Sequence, residues 1–169
     1  MTTRRILAII LGMCMTVIAR AGAPSIALHD LDGRERNVNE FVGHAKWTIV
    51  VTWAHDCHVC DRDIDEMASF HAAHRDRDAI VLGITLDGAG QLKAARAFVK
   101  RHKLPFVNLI TEPSQEVMQK FGAGKFVGTP TYYIYDPKGE IVGQNIGPLT
   151  RVEAEDFINS FDKAPQDDR

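Results

Sequence analysis

Two long apolar runs dominate the hydrophobic pattern of the chain, at residues 47–53 (WTIVVTW) and 79–86 (AIVLGITL). Both are rich in β-branched residues and almost unbroken, which is typical of strands covered on both faces of a sheet. Between them, residues 57–75 repeat apolar positions such as Ile64 and Met67 at helical spacing. That stretch predicts an amphipathic helix, and a helical crossover of this length makes the two strands parallel.

A second alternation of helix and strand follows. Residues 91–103 carry an apolar stripe that includes Leu92 and predict a helix, and residues 106–110 predict a short strand. A third, shorter helix is expected after Pro113. It ends at Gly122, because glycine commonly follows the last turn of a helix.

The sequence predicts a β-hairpin at the start of the folded region. At its end it predicts a second hairpin followed by a last helix. Residues 26–38 alternate around an Asp-Gly step, and the β-rich runs at 131–135 and 140–146 are joined by the turn sequence DPKG. Thr150 and Glu153 form a capping box ahead of a last apolar stripe. The order of elements predicts an α/β fold of three layers, with an antiparallel pair at one edge of the sheet.

The first residues have the pattern of a secretory signal peptide. Two arginines precede an apolar run at 6–19, and a small-x-small step at 19–21 suits cleavage. A bilayer-spanning helix needs about 20 apolar residues, so an uncleaved membrane anchor is the weaker alternative. We expect an exported, periplasmic chain with a signal peptide at 1–21, one domain at 22–163 and a polar tail at 164–169.

Composition narrows the class of protein. The chain has 169 residues, 45% of them hydrophobic and 25% charged, as is ordinary for one globular domain. Lys and Arg number 20 and Asp and Glu number 22, so no basic excess points to a nucleic acid partner. Three cysteines are too few for a disulfide scaffold, and Cys14 lies in the predicted signal peptide.

The other two cysteines form the motif Cys57-His58-Val59-Cys60, which follows a predicted buried strand and opens a predicted helix. Unpaired N–H groups and the helix dipole favour a thiolate at this position. A thiolate attacks a disulfide, and a second thiol one turn along resolves the mixed disulfide. We therefore expect Cys57 to be the nucleophile and Cys60 the resolving thiol. A protonated His58 would favour the Cys57 thiolate, whereas Asp56 and Asp61 oppose it.

Other uses of a cysteine pair fit the sequence less well. A zinc site usually needs four ligands and often a second cysteine pair, which the exported chain lacks. Haem attachment needs a histidine directly after the second cysteine, where Asp61 stands. A peroxidase is disfavoured because Ala54 stands three residues before Cys57, where peroxidases carry threonine. No metal and no cofactor are expected at this site.

An ordered set of motifs beyond the cysteine pair resembles the TlpA-like/ResA-like thiol-disulfide oxidoreductases of the thioredoxin-fold superfamily. It covers nearly the whole predicted domain. The segments that carry it are LHDLDG at 28–33, FVG at 41–43, WAHDCHVC at 53–60, GTPT at 128–131, YDPKG at 135–139 and GPLT at 147–150.

The resemblance implies a thioredoxin-like three-layer α/β/α sandwich with an N-terminal hairpin and a central helix-strand-helix insertion at about 91–121. It places a cis peptide bond at Thr129-Pro130, in a loop that faces the cysteines and binds an extended substrate segment. It also places Trp53 beside the active site as a substrate-binding residue, although a core aromatic is equally compatible with the sequence. The dipeptide His58-Val59 would tune the redox potential.

The resemblance further implies a function. We expect an enzyme that exchanges disulfides with proteins, reduction being favoured over oxidation. Apocytochrome c or copper-site assembly proteins are the suggested clients, and a membrane thiol-disulfide protein is the suggested electron donor. The alternative is a copper-binding chaperone of thioredoxin-like fold that uses Cys57, Cys60 and a histidine such as His55 or His58.

Several polar residues are expected to stand outside the chemistry. Val51 occupies the position where thioredoxin has a buried acid. Asp87 could replace that acid, but an aspartate at a strand end before glycine is more often an exposed turn residue. The remaining histidines are predicted to be surface or boundary residues: His29, His44, His71, His74 and His102.

Overall fold

The computed structural model describes residues 22–122 and 124–163. The predicted signal peptide at 1–21 and the predicted tail at 164–169 lie outside the described residues. The strands are β1 Ala27–Asp30, β2 Glu35–Asn37, β3 Trp47–Trp53, β4 Ala79–Thr85, β5 Asn108–Ile110, β6 Thr131–Tyr135 and β7 Ile141–Ile146. The α-helices are α1 His58–His74, α2 Leu92–His102, α3 Gln115–Gln119 and α4 Arg151–Lys163.

All seven strands described form one sheet, in the order β2-β1-β5-β4-β3-β6-β7. The central pairs β3 with β4 and β4 with β5 are parallel, whereas β6 and β7 add an antiparallel edge. The N-terminal hairpin β1-β2 extends the sheet at the opposite edge through an antiparallel contact with β5. The predicted α/β fold with a mixed sheet is confirmed. The hairpin β1-β2 pairs with β5, the strand of the predicted central insertion.

Both faces of the sheet are covered, but the two covering layers are unequal. Successive β3 residues alternate between them, since Ile49 packs with α1, α2 and α4, whereas Val50 packs with α3 and the hairpin segment. The crossovers β3-α1-β4 and β4-α2-β5 step along the sheet in the same direction. Right-handed crossovers therefore place α1 and α2 on one face, and the short α3 is left on the other.

Helix α1 has the amphipathic character that its sequence predicts. Ile64, Met67 and Phe70 are each at most 1% exposed, and Asp65 and Glu66 face solvent. The buried face of α1 packs against β3 and β4. The first turn of the helix therefore lies at the carboxyl end of β3. That position fixes where the cysteine motif lies.

The capping box at the start of α4 is present. The Thr150 N–H donates to Glu153 Oε2 at 2.8 Å, and the Glu153 N–H donates to Thr150 Oγ1 at 3.2 Å. These two bonds satisfy N–H groups that have no acceptor within the helix. The Thr150–Glu153 pair in the sequence therefore predicted the start of α4, which begins at Arg151.

The expectation that the scattered histidines are surface or boundary residues is wrong for His71 and His74, which are buried, whereas His102 is at the boundary. His71 is 8% exposed and His74 is 9% exposed, and only 9% of the His102 side chain is exposed. Each has polar partners that make burial tolerable. The His102 ring binds Asp61 and Asp65 on α1, and the His71 Nδ1 accepts a hydrogen bond from the Val81 N–H at 3.0 Å.

His71 predicts a pH dependence of stability. Burial, followed by the positive charge of Arg75, lowers the pKa of His71 below its usual 6.5, while Asp76 opposes and Lys46 adds to the shift. Above the unfolded pKa the group is neutral in both states. As the pH falls below 6.5 the unfolded chain binds the proton first, so the free energy of unfolding should decrease until the folded pKa is passed.

Urea titrations of the oxidised protein between pH 8 and pH 5 test this expectation. The variant His71→Gln, whose amide oxygen can still accept from Val81, should lose part of the decrease between pH 7 and pH 5. The matched variant His44→Gln, at an exposed loop position, should retain it. Identical pH profiles for wild type and His71→Gln would contradict the assignment.

Candidate active site

The cysteine motif sits at the junction between β3 and α1. β3 ends at Trp53, and a tight turn follows in which the Cys57 N–H donates to the Ala54 carbonyl at 3.2 Å. Cys57 is the N-cap residue of α1, and its sulfur accepts from the Cys60 N–H at 3.1 Å. A disulfide joins Cys57 to Cys60, with the Cα atoms 5.2 Å apart.

The two sulfurs differ in access. Cys60, in the first turn of α1, is 1% exposed and belongs to the core, whereas Cys57 is half-buried. An attacking thiolate can therefore approach Cys57 but not Cys60. The Cys60 N–H, together with the positive end of the α1 dipole, would stabilise negative charge on a reduced Cys57.

The Thr129-Pro130 peptide bond is cis, and its loop faces the disulfide. Cys57 Sγ lies 3.5 Å from the Thr129 carbonyl oxygen. Next along the chain, the Thr131 N–H donates to Thr52 Oγ1 at 3.0 Å, and Thr52 Oγ1 donates to the Thr131 carbonyl at 3.1 Å. These two bonds tie the loop to β3, so the strand that leads into the cysteines also positions the loop beside them.

Trp53 does not line this surface, so the expected direct contact with substrate requires correction. Its side chain is 0% exposed, it stacks on Phe98 of α2 with 4.5 Å between ring centroids, and its Nε1 donates to Asn108 Oδ1 at 3.0 Å. The alternation of β3 turns Trp53 into the core beneath α1. Its role is to pack in the core beneath the cysteine motif, and it makes no contact at the surface.

The charged and polar neighbours of the cysteines have different environments. His58 is exposed and Val59 is half-buried in the first turn of α1. Asp61 is bound by His102 and Arg101 of α2, and these hydrogen bonds, that of His102 first, lower the pKa of the Asp61 carboxyl. Its charge is thereby compensated, whereas Asp56 is exposed and forms no ion pair with a described residue. Of these two carboxylates, Asp56 is therefore the one whose negative charge no ion pair among the described residues compensates.

Asp87 is not the exposed turn residue that its sequence context favoured. Its side chain is 3% exposed, and it accepts from Thr85 Oγ1 and from His55 Nδ1, each at 2.6 Å, and from the His55 N–H at 3.1 Å. His55 and Asp87 each stand two residues beyond the end of a parallel strand, β3 and β4. Because such strand ends meet at one edge of a sheet, this spacing is the signal that could have predicted the pair.

A cleft of about 390 Å³ lies beside the loops that flank the cysteine motif, with Ala54, His55, Asp56, Asp87, Gly128 and Thr129 among its lining residues. Donor atoms of His55, Asp56 and Asp87 lie within 4.8 Å of one another, close enough to consider a cation. Both carboxylate oxygens of Asp87 already accept hydrogen bonds, from His55 and Thr85. We therefore interpret this group as a hydrogen-bonded pair with an exposed neighbour and assign no metal ligands.

The fold and the site define a thioredoxin-like protein with one redox-active cysteine pair. Residues 19–144 match the model of the AhpC/TSA family, and since that match spans well over half of the chain, the protein belongs to this family.

Individual relatives agree with that class. The chain is 23% identical over 139 residues to the thiol-disulfide oxidoreductase ResA of Bacillus anthracis, covering 82% of this chain and 76% of ResA. It is 25% identical over 111 residues to the sporulation thiol-disulfide oxidoreductase A of Bacillus subtilis, covering 65% of each. The predicted resemblance to ResA-like thiol-disulfide oxidoreductases is confirmed.

Solved structures confirm the thioredoxin-like fold. A DsbF homologue from Corynebacterium diphtheriae superposes with a TM-score of 0.71 at 20% identity, covering 84% of this chain and 87% of that one. A thiol:disulfide interchange protein from Chlorobium tepidum superposes with a TM-score of 0.67 at 21% identity, covering 82% and 94%.

Proposed function

We propose that this thiol-disulfide oxidoreductase is exported and reduces disulfides in other proteins through Cys57 and Cys60. The observation that carries the proposal is the asymmetry of the pair. One sulfur is accessible at the start of α1 and lies 3.5 Å from the Thr129 carbonyl, and the other is 1% exposed behind it. This arrangement suits a nucleophile and a resolving thiol.

In the proposed reaction, the Cys57 thiolate attacks one sulfur of a client disulfide. A Cys57–client bond forms, the client disulfide breaks, and the departing sulfur is released as a thiol after it gains a proton. The Cys60 thiol then loses its proton and attacks Cys57 Sγ, which restores the Cys57–Cys60 bond and releases the second client thiol. The client gains the two electrons that the cysteine pair loses.

The local charges support the reducing direction. The disulfide form of a cysteine pair is a strong oxidant when the reduced, thiolate form is unusually stable. Here Asp56 directly precedes Cys57, is exposed and carries a negative charge, which opposes the stabilisation by the helix terminus. Destabilising the reduced form in this way makes the pair a better electron donor.

The N-terminal sequence pattern supports the proposed setting of the reaction. Residues 1–21 have the features of a signal peptide, which supports a periplasmic location, with an uncleaved membrane anchor as the alternative. Within the described residues, no helix combines the length and the apolar character needed to cross a bilayer. Proteins with reducible disulfides, such as apocytochrome c or copper-site assembly proteins, are the proposed clients, and a membrane thiol-disulfide protein would return the electrons.

The reduction potential tests the direction of electron flow. The purified protein would be equilibrated with glutathione or thioredoxin redox buffers, and the fraction of Cys57–Cys60 disulfide measured by alkylation and mass spectrometry. A potential near that of thioredoxin, about −270 mV, is expected, whereas a value near about −120 mV would identify an oxidant. Tight copper(I) binding without any reduction of insulin would instead favour the copper chaperone.

A further inference from the structure

The His55–Asp87 pair lies outside the cysteine motif and has the form of an oriented acid–base group. The Asp87 side chain is 3% exposed and its oxygens bind the Thr85 hydroxyl, the His55 N–H and His55 Nδ1. A carboxylate can only accept hydrogen bonds. His55 therefore carries its proton on Nδ1 when neutral, and the carboxylate fixes the plane of the ring.

The other ring nitrogen is available for chemistry. Among the described residues none forms a hydrogen bond with His55 Nε2, and the side chain is 31% exposed. It lines the cleft of about 390 Å³ in which the other titratable lining residues are Asp56 and Asp87. With Nδ1 bound to Asp87, the neutral ring presents a free lone pair on Nε2, and the protonated ring presents an N–H donor.

The cleft shares the Thr129 loop with the approach to Cys57. Cys60 is 1% exposed, so exchange with an external sulfur occurs at Cys57. Cys57 Sγ lies 3.5 Å from the carbonyl oxygen of Thr129, and Thr129 lines the same cleft as His55. Thr129 is therefore common to the approach to Cys57 and to the cleft that His55 lines.

From this placement we propose that His55 is the acid–base group for the client sulfur and that Asp87 is its positioning residue. When Cys57 attacks a client disulfide, the client S–S bond breaks and its electron pair stays on the departing sulfur, which takes the proton from Nε2 of protonated His55. In the reverse reaction, neutral His55 removes the proton from that client thiol, whose sulfur attacks the client sulfur bonded to Cys57; the client disulfide forms again and Cys57 leaves as the thiolate. The inference rests on the proposed thiol exchange but holds for either direction of electron flow.

The proton requirement of the departing sulfur gives a selective test. The reduced protein would react with two small disulfides in the presence of a chelator: dithiobis-nitrobenzoate, whose aromatic thiolate leaves without a proton, and bis-hydroxyethyl disulfide, whose alkyl thiol needs one. His55→Gln is expected to slow the alkyl reaction about tenfold and to change the aromatic reaction less than about twofold, because acid–base assistance matters only for the poor leaving group. Asp87→Asn should slow the alkyl reaction selectively as well.

Controls separate this effect from misfolding and from the proposed function. His44→Gln, at an exposed loop position, should match wild type with both reagents, and circular dichroism would verify that every variant is folded. If His55→Gln lost the same rate with both disulfides, or lost rate with neither, the role of His55 would be refuted while the proposed thiol exchange would stand. A wild-type protein inert toward both reagents would refute the proposed function, and this role with it.

Discussion

A Cys60→Ser variant is expected to accumulate as a mixed disulfide with its client, joined through Cys57. Without the Cys60 thiol the second step of exchange cannot occur, and the client remains bound until an external thiol releases it. Turnover in insulin reduction should fall to the background rate, while the first attack proceeds. The expectation depends on the difference in exposure between Cys57, which is half-buried, and Cys60, which is 1% exposed.

The matched variant for this experiment is Cys57→Ser. It retains the buried thiol and loses the accessible one, so it should form no mixed disulfide and show no turnover. Non-reducing electrophoresis and mass spectrometry of the trapped species with an insulin-derived peptide would identify the sulfur that carries the adduct. An adduct on Cys60 in Cys57→Ser, at a rate similar to that on Cys57 in Cys60→Ser, would contradict the assignment of the nucleophile.

Local sequence signals predicted the central part of the fold because each element there is determined by its own residues. The run at 47–53 forms β3 and is buried along its whole length, and Ile64 and Met67 do lie on the buried face of α1. The place of the N-terminal hairpin was not predictable in this way. Its pairing with β5 is antiparallel and joins His29 to Ile110, and a contact between such distant residues leaves no periodic trace in either segment.

The site shows the same division. The motif Cys57–Cys60 was predicted because both residues lie within one helical turn, whereas the Thr129-Pro130 loop was located through the family resemblance. The hydrogen-bond partners of Trp53 and Asp87 were not predicted. Each depends on a tertiary partner, Asn108 for the indole of Trp53 and His55 for the carboxylate of Asp87, and only the packed strands bring those partners together.

A Gly83→Ala substitution is expected to lower the free energy of unfolding by about 3 kcal/mol, the combined cost of overpacking and of a broken buried hydrogen bond. Gly83 lies in β4 between Val51 of β3 and Asn108 of β5. A Cβ atom there would overlap Asn108 Oδ1 and lie 3.0 Å from Trp53 Nε1. The added methyl group therefore occupies the place of the hydrogen bond between Trp53 and Asn108.

The mechanism of that loss is testable by a second substitution and a matched control. Displacing the Asn108 amide leaves the buried Trp53 N–H without its acceptor, which costs roughly 1–3 kcal/mol. In an Asn108→Ala background this bond is already absent and space is available, so adding Gly83→Ala should cost much less than in wild type. Gly90→Ala, where a Cβ would meet nothing within 4 Å, should alter stability by less than about 1 kcal/mol. Urea denaturation of the oxidised proteins measures all four variants, and additive losses at Gly83 and Asn108 would show that the methyl group does not act through the Trp53–Asn108 bond.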